Sequence, residues 1–76
     1  MISIKIHGEL VERAGRKEGE WWIPYAEGIT IADIIRQEEI PDLEVGIIIV
    51  NNGAAQRSTR VRQGDRIDLF PPIAGG

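Results

Sequence analysis

A chain of 76 residues, 42% hydrophobic and 28% charged, with no apolar run of membrane-spanning length, is expected to fold as one small soluble domain. A core of that size is too small to enclose a deep substrate pocket, so any chemistry is expected to be completed by a partner. The absence of cysteine excludes disulfides, thiolate catalysis and cysteine metal sites, a single histidine argues against any metal centre or in-chain catalytic triad, and a net charge of −3 without a nucleic-acid motif argues against DNA or RNA as a ligand.

Met1-Ile2-Ser3-Ile4-Lys5-Ile6 alternates as a half-buried strand does, with isoleucines toward the core and Ser3, Lys5 and His7 on the other face, where His7 reads as an exposed strand histidine. The same segment lacks the basic region and apolar block of a secretion signal, so the expected location is the cytoplasm. Leu10, Val11 and Ala14 fall at helical spacing ahead of Gly15, a C-terminal stop, and residues 9–14 are read as a short helix. Glu20-Trp21-Trp22-Ile23 is the second strand, ended by Pro24; its consecutive tryptophans face opposite sides of the sheet, one helping the core and the other covering the edge or outer face.

Thr30-Ile31-Ala32-Asp33 opens a helix, with Thr30 as its cap and Asp33 placed against the first free amides. Ile31, Ile34 and Ile35 share its buried face, Arg36, Gln37, Glu38 and Glu39 its solvated side, and Pro41 marks its exit. Gly46-Ile47-Ile48-Ile49-Val50 is an interior strand that turns at Asn51-Asn52-Gly53 into a short strand near Ala54-Ala55-Gln56. Residues 57–76 hold four arginines, Arg57, Arg60, Arg62 and Arg66, against Asp65 and Asp68; these arginines read as a solvated loop and strand edge, with contact to an acidic partner as the alternative. The last strand runs from Arg66 to Phe70.

Both the first and last strands alternate, with a helix between them, the pattern of two parallel neighbours lying beneath that helix. With Ile67 and Leu69 toward the helix, Asp68 and Phe70 face outward alongside Lys5 and His7, and two of the four residues from Ile47 to Val50 join them. Apolar groups on the helix-free face mark a candidate association surface with Phe70 as its anchor; the alternative is that Phe70 folds over the edge of the core.

Pro71-Pro72-Ile73-Ala74-Gly75-Gly76 can neither continue a strand nor start a helix, because the prolines fix φ and lack amide donors. Fully extended, the six residues reach about 20 Å, and the slim glycines suit a narrow channel. On composition alone the segment is equally an unstructured terminus.

Phe70-Pro71-Pro72-Ile73-Ala74-Gly75-Gly76, preceded by Val61-Arg62-Gln63-Gly64-Asp65-Arg66-Ile67, resembles the C-terminal region of the molybdopterin synthase small subunits, which are ubiquitin-like sulfur carriers. Related thiamine-pathway carriers share the terminal glycines and the Gly-Asp turn but not usually the Phe-Pro-Pro. The resemblance spans essentially the whole chain and is strongest from Gly46 onward. It implies an α+β, β-grasp (ubiquitin-like) fold over residues 1–70, a mixed sheet of four to five strands with one main helix on one face, and a flexible diglycine tail over residues 71–76.

The resemblance also implies a division of labour. A ubiquitin-activating-like enzyme, which itself binds the ATP, adenylates Gly76; a sulfur donor such as a cysteine desulfurase system then leaves a thiocarboxylate there. The tail, Pro71, Pro72, Ile73, Ala74 and Gly75, enters the molybdopterin synthase large subunit, while Phe70, Asp68, His7 and Lys5 contact the partner. The dithiolene made there holds molybdenum or tungsten. On this reading the chain holds no cofactor of its own and has no turnover alone. Alternatives are sulfur delivery to thiamine or another thiolated product, attachment of Gly76 to protein lysines, and a non-covalent interaction module.

Overall fold

The structure, a computed structural model, describes residues 1–73. Strand β1 is Ile2–Ile6, helix α1 Leu10–Arg13, β2 Glu20–Ile23, helix α2 Ile31–Gln37, then a 3-10 turn at Asp42–Glu44, β3 Ile47–Val50, β4 Gly53–Ala54 and β5 Arg66–Phe70. The strands form one sheet in the order β2-β1-β5-β3-β4; β1 and β5 run parallel and the other neighbours antiparallel. This is the expected β-grasp, with the chain's last strand in the middle of its sheet.

Alternation in β1 and β5 builds the core. Ile4 stands beside Ile67 and Ile6 beside Leu69 in the parallel register, and all four are buried on the face that α2 covers with Ile31, Ile34 and Ile35. Leu10 of α1 and the loop residues Ile29, Ile40, Val45 and Val61 close the ends of this cluster. Each fully buried aliphatic side chain contributes about 1.5–3 kcal/mol of transfer free energy before chain entropy is set against it. Without disulfides, a domain this small depends on that packing.

Three local devices fix the register. Helix α2 carries a capping box: the Thr30 hydroxyl accepts from the Asp33 N–H at 3.2 Å, and the Asp33 carboxylate accepts from the Thr30 N–H at 3.0 Å. Between β3 and β4, Asn51 and Asn52 have φ of 49° and 70°, the left-handed pair of a type I′ hairpin turn. Gly64, at φ +87°, turns the chain so that its N–H donates to the Met1 carbonyl at 3.0 Å while the Asp65 carbonyl accepts from the Ser3 N–H at 3.0 Å. That turn pins the start of β5 beside the start of β1.

Several expectations are corrected. Helix α2 ends at Gln37, before Pro41, because Glu39 turns into the left-handed region at φ 56°. Glu38 is not on a solvated face: its carboxylate accepts from the Trp21 indole N–H at 2.9 Å and from Arg16 at 3.1 Å, and the Arg16 guanidinium lies 3.4 Å over the Trp21 ring. A half-buried indole needs an acceptor, and Glu38 supplies it. Trp22 takes the opposite face and is 63% exposed. The short strand β4 is Gly53–Ala54, earlier than the sequence suggested. Arg57 is not merely solvated either; it donates to the Asp42 carboxylate at 2.8 Å and to the carbonyls of Asp42 and Val45, both at 2.9 Å, fastening the 3-10 turn.

The capping box makes α2 sensitive to acid. Hydrogen bonding to the Thr30 backbone N–H and then to its hydroxyl holds the Asp33 carboxyl below its ordinary value; desolvation opposes this, and Arg36 adds further, weaker lowering. The unfolded chain therefore takes up this proton at higher pH than the folded one, so the stabilisation is complete above the ordinary aspartate value and lost as pH falls through the folded one. Asp33→Asn is expected to shallow the fall in thermal midpoint across that acid range; identical pH slopes for the two chains would refute the assignment.

Candidate functional site

Strand topology decides where the segment after β5 emerges. Because β5 is parallel to β1 and antiparallel to β3, its C-terminal end lies beside the end of β1 and the beginning of β3. Both neighbours bond to it until the last residue: the His7 N–H donates to the Leu69 carbonyl at 3.0 Å, and the Gly46 N–H to the Phe70 carbonyl at 2.8 Å. Pro71 has no amide to extend the ladder, and pairing stops. Pro71 is half-buried, Pro72 is exposed and Ile73 is 82% exposed, as expected of a segment leaving the sheet. The remaining tail residues singled out from sequence, Ala74, Gly75 and Gly76, lie outside the described residues.

Around this exit the helix-free face carries the predicted partner-contacting residues together. The His7 and Phe70 rings stack with centroids 4.1 Å apart and planes inclined by 8°. Ile47, 36% exposed, stands beside Phe70 on the next strand. The Asp68 carboxylate accepts from His7 Nε2–H at 2.8 Å and lies 3.8 Å from Arg66 Nε on its other side. Lys5 is exposed and stands between Glu20 and Asp68 in one row across the sheet. A shallow depression beyond Phe70 is lined by Lys5, Glu20, Ile49, Asn52, Arg66, Asp68 and Phe70.

One sequence reading changes here, and one alternative falls away. His7 is not a freely exposed strand residue; it sits one position past β1, and its side chain is 27% exposed because the ring is stacked on one partner and bonded to another. Phe70 lies on the outer face, as expected, half-buried by His7, and the alternative of folding over the core edge does not hold. Gly46 was missed as a site residue. It read as the first member of an apolar run, although a glycine leading a β-branched strand is itself a signal of close backbone approach.

A small sheet that releases its central strand's continuation beside an aromatic patch, with helix on the far face, defines a ubiquitin-like, β-grasp domain. The chain belongs to the ThiS family, whose model matches residues 4–76, and so to the ubiquitin-like sulfur carriers. Its fold is similar to that of a Pyrococcus furiosus protein described as a molybdopterin converting factor subunit 1, at 21% identity and TM-score 0.74 over 95% of this chain and 97% of that one. It is similar also to small archaeal modifier protein 1 of Haloferax volcanii, at 22% identity and TM-score 0.73 over 95% and 97% of the two chains. A third likeness is to a chain from the complex of subunits 1 and 2 of the molybdopterin-converting factor of Helicobacter pylori 26695, at 22% identity and TM-score 0.61 over 99% and 97%. Among the described residues no helix is long and apolar enough to cross a membrane.

The stacked pair is expected to be energetically coupled. A double-mutant cycle with His7→Ala and Phe70→Ala, followed by urea unfolding, is expected to return a coupling of about 0.5–1.5 kcal/mol. Strict additivity would mean that the rings are neighbours without interaction.

Proposed function

We propose that this sulfur carrier serves molybdopterin biosynthesis, with Gly76 as the loaded residue. The observation that supports this reading most is the exit itself: Phe70 on the outer face, two prolines ending the ladder, and an exposed Ile73 leading toward Ala74-Gly75-Gly76. The Phe-Pro-Pro distinguishes this segment from most thiamine-pathway carriers. Likeness to a subunit of the Helicobacter pylori complex supports a large catalytic subunit as partner.

A free carboxylate resists attack because its charge repels nucleophiles and its leaving group is poor. An activating enzyme that binds ATP therefore acts first: a Gly76 carboxylate oxygen attacks the α-phosphorus, pyrophosphate leaves, and an acyl adenylate results. A reduced sulfur nucleophile from the donor system adds to the acyl carbon and AMP departs, leaving the thiocarboxylate. The chain supplies no phosphate-binding glycine loop with a following lysine, so ATP belongs to the partner. In the large subunit the thiocarboxylate sulfur attacks a carbon of the cyclic pterin phosphate and displaces an oxygen substituent there; water then cleaves the acyl–sulfur bond of the resulting thioester, which returns the Gly76 carboxylate and leaves the sulfur on the pterin, and two such deliveries complete a dithiolene. The domain's own part is to bind, orient and present. His7, Phe70, Ile47 and Asp68 form the docking surface, Lys5 contributes a charge at its border, and residues 71–75 reach into the partner's channel.

Intact-mass measurement tests the scheme. Incubation with an activating enzyme, ATP and a sulfur donor is expected to exchange one oxygen for sulfur, and the gain is expected to vanish when Gly76 is deleted. Addition of the large subunit and the cyclic pterin precursor is expected to reverse the gain and yield a dithiolene. Exchange without dithiolene would retain the carrier and refute the molybdopterin assignment, whereas lysine-linked adducts would favour a protein modifier.

A further inference from the structure

The exit of β5 is flanked by two glycines that the topology brings together from distant parts of the chain. Gly8 follows the end of β1 and Gly46 precedes the start of β3, and β5 lies between those strands. A Cβ at Gly8 would meet the Pro71 ring at 3.7 Å, an ordinary contact. At Gly46 the situation differs in kind. A Cβ there would lie 2.7 Å from the Pro72 nitrogen and 3.0 Å from the Pro71 carbonyl carbon, and would overlap the Pro72 Cα outright. All three are main-chain atoms, so no rotamer change relieves the overlap. The tail's backbone would have to move.

Gly46 is not required by its own backbone conformation, since it is absent from the left-handed residues of this chain. Its amide is fully used, donating to the Phe70 carbonyl at 2.8 Å. What the missing side chain provides is a seat into which the tail's root lies down, with the Pro71 ring against Gly8 on the other side. Pro71 and Pro72 have their φ fixed by their rings, so a root held at Gly46 transmits its direction to Ile73. We infer that Gly46, backed by Gly8, is a positioning residue that aims the tail root, so that its lack of a side chain governs the rate at which a partner acts on the terminus rather than the affinity with which the sheet face docks.

This inference rests on the carrier reading only for its kinetic half. Because the chain has no cysteine, Ile73→Cys can carry a single nitroxide label, and amide relaxation across the full-length protein maps where the tail root points. Gly46→Ala is expected to move the set of broadened amides. Gly53→Ala is the control, since a Cβ there meets only the Val50 carbonyl oxygen at 3.5 Å, and it is expected to leave the set unchanged. Pro72→Gly, at an exposed position beyond the sheet, is expected to spread the broadening by freeing φ, and it decides the matter should Gly46→Ala fail to fold. With an activating enzyme, Gly46→Ala is expected to lower kcat for adenylation about tenfold or more, with KM for the carrier within about twofold. An unchanged relaxation map in a folded Gly46→Ala, or in Pro72→Gly should Gly46→Ala not fold, would overturn the positioning role, as would a loss expressed wholly in KM. If the parent chain is not adenylated at all, the carrier reading fails, while the relaxation maps still decide whether Gly46 aims the tail.

Discussion

Parallel pairing of the first and last strands is the constraint on which this molecule depends. It puts β5 in the middle of the sheet, with hydrogen bonds on both edges, so the chain after Phe70 must emerge between two neighbours and not from a free edge. Parallel strands cannot be joined by a tight turn, and nearly the whole sequence is spent on the crossover between them. The pair is aligned by the turn at Gly64-Asp65, whose backbone bonds reach Met1 and Ser3. A slip of one residue in that alignment would exchange the faces of β5, sending Phe70 into the core and Leu69 into solvent. Core, outer apolar face and exit thus share a single register.

The outer face is graded along β5. At the start of the strand a polar network holds the geometry: the Asn51 side chain accepts from the Arg66 N–H at 2.9 Å and donates to Asp65 at 2.8 Å, and Arg66 reaches Asn52 at 2.9 Å. Toward its end the face becomes aromatic and aliphatic, with His7, Phe70 and Ile47 in one row. Polar groups already bonded within the chain have little to gain from a partner, whereas partly exposed apolar groups gain by further burial. A partner seated at this apolar end, as proposed, would already be next to the departing segment. The apolar patch and the exit are therefore adjacent for a topological reason: both gather where β5 ends.

Features carried by local pattern were legible in the sequence. Alternation gave β1 and β5, the Thr30–Asp33 pair announced the start of α2, and Asn51-Asn52-Gly53 announced the hairpin. Features that depend on a distant partner were not. Glu38 reads as solvated until Trp21 and Arg16 are folded against it, and Arg57 reads as a loop cation until Asp42 and Val45 present their oxygens. His7 belongs with Asp68 and Phe70, some sixty residues away, a separation that no periodicity spans. The candidate docking residues could be assigned to one face by alternation alone, because β pairing preserves side; their stacking and bonding could not. Gly46 shows the same limit, for its meaning lies in Pro72.

Close contact at Gly46 solves a problem that any centrally placed last strand poses. The β3 chain must approach β5 closely enough to bond its final carbonyl, yet Pro71 and Pro72 must pass over that same neighbour as they leave. A side chain at position 46 would force one of two concessions: the Gly46–Phe70 hydrogen bond lengthens, or the tail lifts away from the sheet. With no side chain there, both are satisfied, and one residue both completes the ladder and supports the departing root. On the proposed function, a base already ordered in the free protein would leave less conformational entropy to be lost when the segment enters a partner. A freely jointed root would require that ordering at each encounter. Stiffness at the root and slimness at the tip thus belong to the same physical solution.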